Sequence, residues 1–328
     1  MKKYLDIKLE KIHQGKYKPS DFIIADAKDA DMGGGIKAPG PVHEEPSRTK
    51  SFTDYLQAMR EISRSGLVDV VLMSVSAAER LVDEGVFKNS PVTPAVRYND
   101  ATDIWSARHS GYKKHPSRNF RTARVAKVVS LVDLGLYSIT FSNDLERDLD
   151  SLTGFRGFLN DLSGTGLRYF LEVFNPQIDI GIDQEKLPEY VNDCIVRCLA
   201  GLTQEDRPLF LKMPFNGPQA MEELCQYHPS HLIVGVLGGG KGTTRDTFEL
   251  VRQSEKYGAR VALFGRKINL AEAPLQLVTL MRAVIRGDMN TREAVKAYHA
   301  HLGEKGIRPK LELEEDQQVT ETVLLTDL

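Results

Sequence analysis

Short apolar runs recur along the whole chain, and stretches with helical period separate them. In order they are DFIIADA, VDVVLMS, VTPAVRYND, LYSITFS, LRYFLEVFNP, RPLFLKMPF, SHLIVGVL and ARVALFG. Strand-like runs alternating with helical patterns of ~10–15 residues are the mark of βαβ units and a parallel sheet. No repeat at solenoid period and no linker splits the chain. Eight strand–helix units predict one closed (β/α)8 TIM barrel: an N-terminal helix in 1–20, the barrel over 21–302, and an extra C-terminal helix region and tail, the tail over 303–328. The 328 residues suit that architecture. An open doubly wound sheet is the alternative. It requires a nucleotide signature after the first strand, and Gly33-Gly34-Gly35 is not a GxGxxG entering a helix.

Between the strands, SFTDYLQAMREISRSG has helical period, with Ser51 as N-cap and Gly66 as stop. RTARVAKVVSLVDLG also reads as an amphipathic helix. Two stretches are too polar for core and read as long loops. One follows strand one, from Lys28 to about Thr49. The other follows strand three and carries Trp105 with Arg108, Lys113, Lys114 and Arg118. Long loops inside compact domains are usually functional. A lid over an anionic small molecule is one reading of the basic loop; a nucleic-acid contact and a plainly solvated loop are the others. The acidic tail lacks helical period and is expected to be loose, or to pair with a neighbouring subunit.

Bulk composition narrows the partners. A net charge of -2 gives no general pull toward nucleic acid or membrane. No apolar run reaches the ~20 residues that span a bilayer. MKKYLDIKLEK lacks the apolar core of a secretory signal. Three cysteines are too sparse for a disulfide framework, so a reducing cytoplasm is the expected location. Cys194 and Cys198, one helical turn apart, read as a helix face rather than a metal pair.

Lys212 carries the sharpest chemical signal. It sits in LFLKMPF with apolar residues on both sides. A buried ammonium is costly, and the same cost makes the amine nucleophilic toward carbonyls. The bland alternative is an edge-strand lysine that snorkels to solvent. GVLGGGKGTT places Gly238, Gly239 and Gly240 before Lys241 and a helix. Glycines let backbone N–H groups approach an anion closely; a merely tight turn would look the same. The loop is not a P-loop, because Gly242 stands where Ser or Thr must bind magnesium. FGRKI adds Gly265 and Arg266 after strand eight, and barrels frequently build phosphate sites from the loops after strands seven and eight. Arg97 and Asn99 lie near the end of strand three. None of the eight histidines falls at a strand end; the HxH at His299-Ala300-His301 lies in a helical run, and no HExxH occurs. The expectation is therefore an amine electrophile, with no metal and no cofactor.

From about Asp21 to Arg308 the chain resembles the class I (Schiff-base) aldolases of the DeoC/LacD/DhnA-type fructose-bisphosphate aldolase superfamily. The matching features are Asp26 at the end of strand one, Lys212 on strand six, the glycine triplet after strand seven and FGR after strand eight. The resemblance implies a TIM barrel and a lysine imine with a ketose, usually phosphorylated. Lys212 would be the imine lysine, and Gly239, Gly240, Gly265 and Arg266 would hold phosphate. Asp26 would line the site. Gly235 or its neighbours stand where the deoxyribose-phosphate branch has a second lysine, which favours the fructose-bisphosphate-like branch. Tyr137 and Glu172, on strands four and five, are the candidates for moving the proton. The implied activity is a metal-independent aldehyde-lyase in a homo-oligomer. An imine-using transferase or isomerase, or a non-catalytic sugar-phosphate-binding protein, are the alternatives.

Overall fold

A computed structural model describes residues 1–43 and 45–328. The strands in chain order are β1 (Ile23–Lys28), β2 (Val70–Met73), β3 (Thr93–Arg97), β4 (Asp100–Ala101), β5 (Asn119–Phe120), β6 (Leu134–Thr140), β7 (Arg168–Phe174), β8 (Leu211–Lys212), β9 (Gly235–Leu237) and β10 (Val261–Phe264). β4 and β5 pair antiparallel within the long basic loop. The other eight form one sheet in the order β8-β7-β6-β3-β2-β1-β10-β9. The seam between β8 and β9 closes through Leu211 N–H to Ile233 O and Leu237 N–H to Met213 O, both 2.8 Å. The result is a (β/α)8 barrel.

Strand alternation sorts every side chain to one of two layers. Ile23, Ala25 and Ala27 of β1 face the barrel interior with Leu134 and Leu136 of β6 and Phe170 of β7. Ile24, Tyr137, Ile139 and Leu171 face outward to the helices, in the larger of two apolar cores. The base of the interior is plugged by the helix Tyr4–His13, which inserts Leu5, Leu9 and Ile12. Its Lys8 pairs with buried Asp69 at 2.8 Å. Asp69 also accepts from Ile24 N–H at 2.8 Å and from Arg282 at 3.1 Å, so one carboxylate ties plug, barrel and outer helix together.

Helix Phe52–Ser65 starts and stops where its sequence signals lie. Ser51 and Asp54 form a capping box, and Gly66 takes the left-handed conformation at φ 66°. The stretch RTARVAKVVSLVDLG departs from expectation: only Val125–Val128 is helical. Its end belongs to β6 instead, where the Tyr98 ring covers Gly135. A Cβ there would lie 1.7 Å from a ring carbon, so β6 needs this glycine. The tail is not loose. It packs along the helix Thr244–Lys256, where Gln253 donates to Leu324 O at 2.8 Å and Lys256 pairs with Asp327 at 2.7 Å. Among the described residues no helix is long and apolar enough to cross a membrane.

The plug generates a test. Leu5 is fully buried, and truncating such a leucine costs about 2–5 kcal/mol. Leu5→Ala should lower the free energy of unfolding by that amount in a urea titration.

Candidate active site

The upper interior of the barrel is charged. Lys212 on β8 lies opposite Glu172 on β7 in register, and both side chains point inward. Lys212 Nζ is 2.5 Å from Glu172 Oε1. Arg97 on β3 reaches the other oxygen, with Nη2 2.8 Å from Oε2. Ser138 Oγ on β6 donates to the same Oε2 at 2.8 Å. Arg97 is held in turn by Asp29 through Nε at 2.5 Å and by Ser138 Oγ through Nη1 at 2.5 Å. Asn99 clamps the β6 backbone, donating to Ser138 O at 2.7 Å and accepting from Ser138 N–H at 2.5 Å.

All these groups are buried, Lys212 at 5% exposed and Glu172 at 1%. Burial pushes the Glu172 carboxyl up, but the Lys212 ammonium and the Arg97 guanidinium outweigh it and hold it below its ordinary value. Burial acts on Asp29 in the same way, and Arg97 followed by Lys212 again overcomes it. Glu172 therefore stays an acceptor, with one oxygen committed to Arg97 and Ser138 and the other to Lys212. That is the geometry of a base and a nucleophile at hydrogen-bond distance.

The site residues expected from sequence do not all converge here. Lys212, Glu172 and Arg97 do. Arg97 is a buried brace rather than an open anion site, because its donors are taken by Asp29, Glu172, Ser138 and Asn99 O. Asp26 does not face the interior. Its parity on β1 is that of Ile24, so it points outward and pairs with buried Lys28 at 2.8 Å. Asp29, beyond the strand end, is the β1-side carboxylate that reaches the interior charges. Tyr137 is also turned outward, stacked on Phe158 with ring centroids 4.5 Å apart. Its neighbour Ser138 holds the inward position. Alternation with Leu134 and Leu136 is the sequence signal that would have chosen Ser138 over Tyr137.

The proposed anion loops sit at the ends of β9 and β10, which pair side by side. Gly238 packs on the Phe264 ring, where a Cβ would come within 3.1 Å. Gly239 takes φ +64° and faces open space, as does Gly240. Among the described residues no acceptor is recorded for the Gly239 and Gly240 N–H groups. Gly265 presses against the end of β1, where a Cβ would lie 3.0 Å from Ala27 O. Arg266 is exposed. Lys241 is partly exposed and 3.8 Å from Glu272. The basic loop folds back over β4 and β5, with the Trp105 ring met edge-on by Tyr112 and Phe120, each at 5.0 Å. Ser106 N–H donates to Gly33 O at 2.8 Å, joining it to the loop after β1. Arg108, Lys113, Lys114 and Arg118 are exposed on its outside. Among the described residues no three His, Cys, Asp or Glu side chains are placed to hold a metal ion.

Two buried carboxyls at the root of this loop were not singled out by sequence. Burial pushes Asp100 up to about 7 against the pull of Arg97, 4.0 Å away. Asp103 is pushed up to about 6, again by burial. An Asp100 titrating near 7 in the folded chain and near ~3.9 unfolded stabilises the fold in its protonated form. That contribution is complete below about pH 4, falls as the pH rises and is lost above about 7. Asp100→Asn should therefore change stability little at pH 4, and raise it relative to the wild type at pH 8 by an amount on the order of a few kcal/mol. Paired urea titrations at the two pH values check this.

Neither a family model nor a curated protein matches this chain. Solved structures do. An archaeal fructose 1,6-bisphosphate aldolase superposes with a TM-score of 0.62 at 14% identity, covering 85% of this chain and 99% of that one. The same scores hold for a structure of an archaeal fructose-1,6-bisphosphate aldolase whose catalytic lysine is covalently bound to the carbinolamine intermediate. A protein of Corynebacterium glutamicum matches with a TM-score of 0.56 at 16% identity, covering 87% of this chain and 94% of that one. The likeness is one of fold: this chain is a (β/α)8 barrel similar to those of the Schiff-base fructose-bisphosphate aldolases.

Proposed function

We propose that the protein is a class I aldolase that forms an imine between Lys212 and a keto-sugar phosphate, for reversible C–C bond cleavage. The observation that carries the reading is the buried Lys212–Glu172 pair at 2.5 Å, braced by Arg97 inside the barrel. Its likeness in fold to a Schiff-base-forming fructose-1,6-bisphosphate aldolase supports it. Glu172 Oε1 takes a proton from the Lys212 ammonium, and the free amine adds to the ketose carbonyl. The carbinolamine loses water to give an iminium. That cation accepts the electron pair released when the adjacent C–C bond breaks, as a base takes the proton of the departing hydroxyl. Protonation of the enamine and hydrolysis return the lysine. Gly239, Gly240, Gly265 and Arg266 are the proposed phosphate site, with Lys241 at its edge. No step calls for a metal or a cofactor. The exposed stripe Leu145, Leu149 and Leu152, at helical spacing on Leu145–Leu162, supports a homo-oligomer. We place the protein in the cytoplasm because Cys194, Cys198 and Cys225 are unpaired.

Borohydride with a ketose phosphate should leave one reduced adduct, on Lys212. Lys212→Ala should abolish it, and Glu172→Gln should slow its formation by about 10²–10⁴-fold, the range for losing a positioned base. Mass spectrometry of the labelled peptide decides this; an adduct on Lys28 or Lys241 would overturn the assignment.

Arg266 tests the phosphate site. A charge-assisted contact contributes roughly 1.5–3 kcal/mol. Arg266→Ala should thus cut kcat/KM for a phosphorylated ketose on the order of ten- to a hundredfold. The unphosphorylated analogue should lose little. Equal losses for both would mean that the phosphate lies elsewhere, with the loop around Lys113 and Arg118 the next candidate.

A further inference from the structure

The C-terminal segment is wired into the two anion loops. Lys267, the residue after Arg266, has a fully buried side chain. Its Nζ is 2.7 Å from Glu321 Oε1 of the tail and 3.3 Å from Lys241 O. One ammonium thus joins the turn after β10 to the loop after β9, and the tail supplies its counter-charge. The far end of the glycine loop is fixed the same way. Gly242 sits at φ +58° against Asp246 and Glu321, where a Cβ would lie 2.6 and 3.2 Å from their carboxylate oxygens. Asp246 accepts from Thr320 N–H at 2.7 Å and Thr320 Oγ1 at 2.6 Å.

The same contacts fill the N-terminus of the helix Thr244–Lys256. Thr243 N–H donates to Asp246 at 2.9 Å, and Thr244 N–H donates to Asp316 of the tail at 2.6 Å. Two of the chain's own carboxylates occupy the positive end of this helix, so a phosphate has no place there. Among the described residues the Gly239 and Gly240 N–H groups have no hydrogen-bond acceptor, and Arg266 at the end of the paired strand β10 is exposed.

We propose that the tail segment Asp316–Glu321 is a positioning strap for the substrate phosphate, in which Glu321 acts through Lys267 to hold the two anion loops at a fixed separation. The strap rests on the phosphate site proposed above. Glu321 itself touches no substrate. Its removal leaves the Lys267 ammonium buried with only a carbonyl, and the turn bearing Arg266 then shifts relative to Gly239 and Gly240.

The test compares half-saturating concentrations of dihydroxyacetone phosphate and dihydroxyacetone in borohydride trapping. Glu321→Ala should raise the ratio of the first to the second by about tenfold or more, one lost charge-assisted contact. Glu321→Gln keeps a hydrogen-bond acceptor for Lys267 and should recover most of that loss. An unchanged ratio, or equal loss for both ketoses, overturns the strap. If the wild type traps neither ketose, the aldolase reading fails by itself, and inorganic phosphate then decides the strap. Phosphate should raise the thermal midpoint of the wild type and not that of Glu321→Ala. An equal rise in both, or none in either, overturns it.

Discussion

The structure turns on one buried electrostatic arrangement: two cations and two carboxylates inside a barrel whose lower interior is hydrocarbon. Taking any one of these charges out of water costs several kcal/mol, and breaking a buried pair by removing one partner costs about 3–5 kcal/mol. The arrangement persists because each charge has a partner of opposite sign, and Glu172 has three donors, Lys212, Arg97 and Ser138. Arg97 is central, since its planar fork contacts Asp29 and Glu172 together. A lysine could not make both contacts with fixed geometry. The apolar plug beneath, from Leu5, Leu9 and Ile12, keeps water from entering at the base and screening these pairs.

Strand alternation explains how much of this was legible in the sequence. The count of apolar runs was enough for the barrel, because eight strand signals separated by helical ones admit few other closures. Lys212 stood out because a charge amid apolar residues is expensive on either face. Asp26 and Tyr137 were harder, since a residue's identity does not say which way its strand faces. Parity does: Asp26 shares a face with Ile24, and Tyr137 with Ile139, while Asp29 and Ser138 take the inward side. Arg97 was visible as a basic residue near a strand end. Its use as a brace follows from three partners on three other elements, and no local pattern encodes that. The helix expected over 121–135 failed for a similar reason: a glycine chosen to lie under Tyr98 belongs to the tertiary fold, not to local propensity.

The tail illustrates the same limit. Its sequence is acidic and without period, which reads as loose chain. In the structure its carboxylates meet buried or half-buried donors: Asp316 meets Thr244 N–H and His299, and Glu321 meets Lys267. Low hydrophobicity here reflects a segment that docks by charge on polar helix termini rather than by burying apolar surface. Leu324, fully buried, anchors it in the core, with Val319 and Val323 packed partly buried beside it.

The charge count inside the barrel also bears on how a Schiff-base reaction would be tolerated there. Lys212 and Arg97 balance Glu172 and Asp29, with Asp100 protonated below neutral pH. The interior is therefore close to neutral and exerts little pull on a phosphate dianion. In the proposed aldolase that pull would come from the mouth, where Arg266 and the basic loop are exposed and Lys241 is partly exposed. On that reading, binding and chemistry would be separated in space, each with its own electrostatics. Replacing the Lys212 ammonium by an iminium leaves the interior count unchanged, because one positive charge takes the place of another. A site organised in this way does not have to reorganise its buried charges as the covalent bond forms, which is the condition for preorganised electrostatic stabilisation.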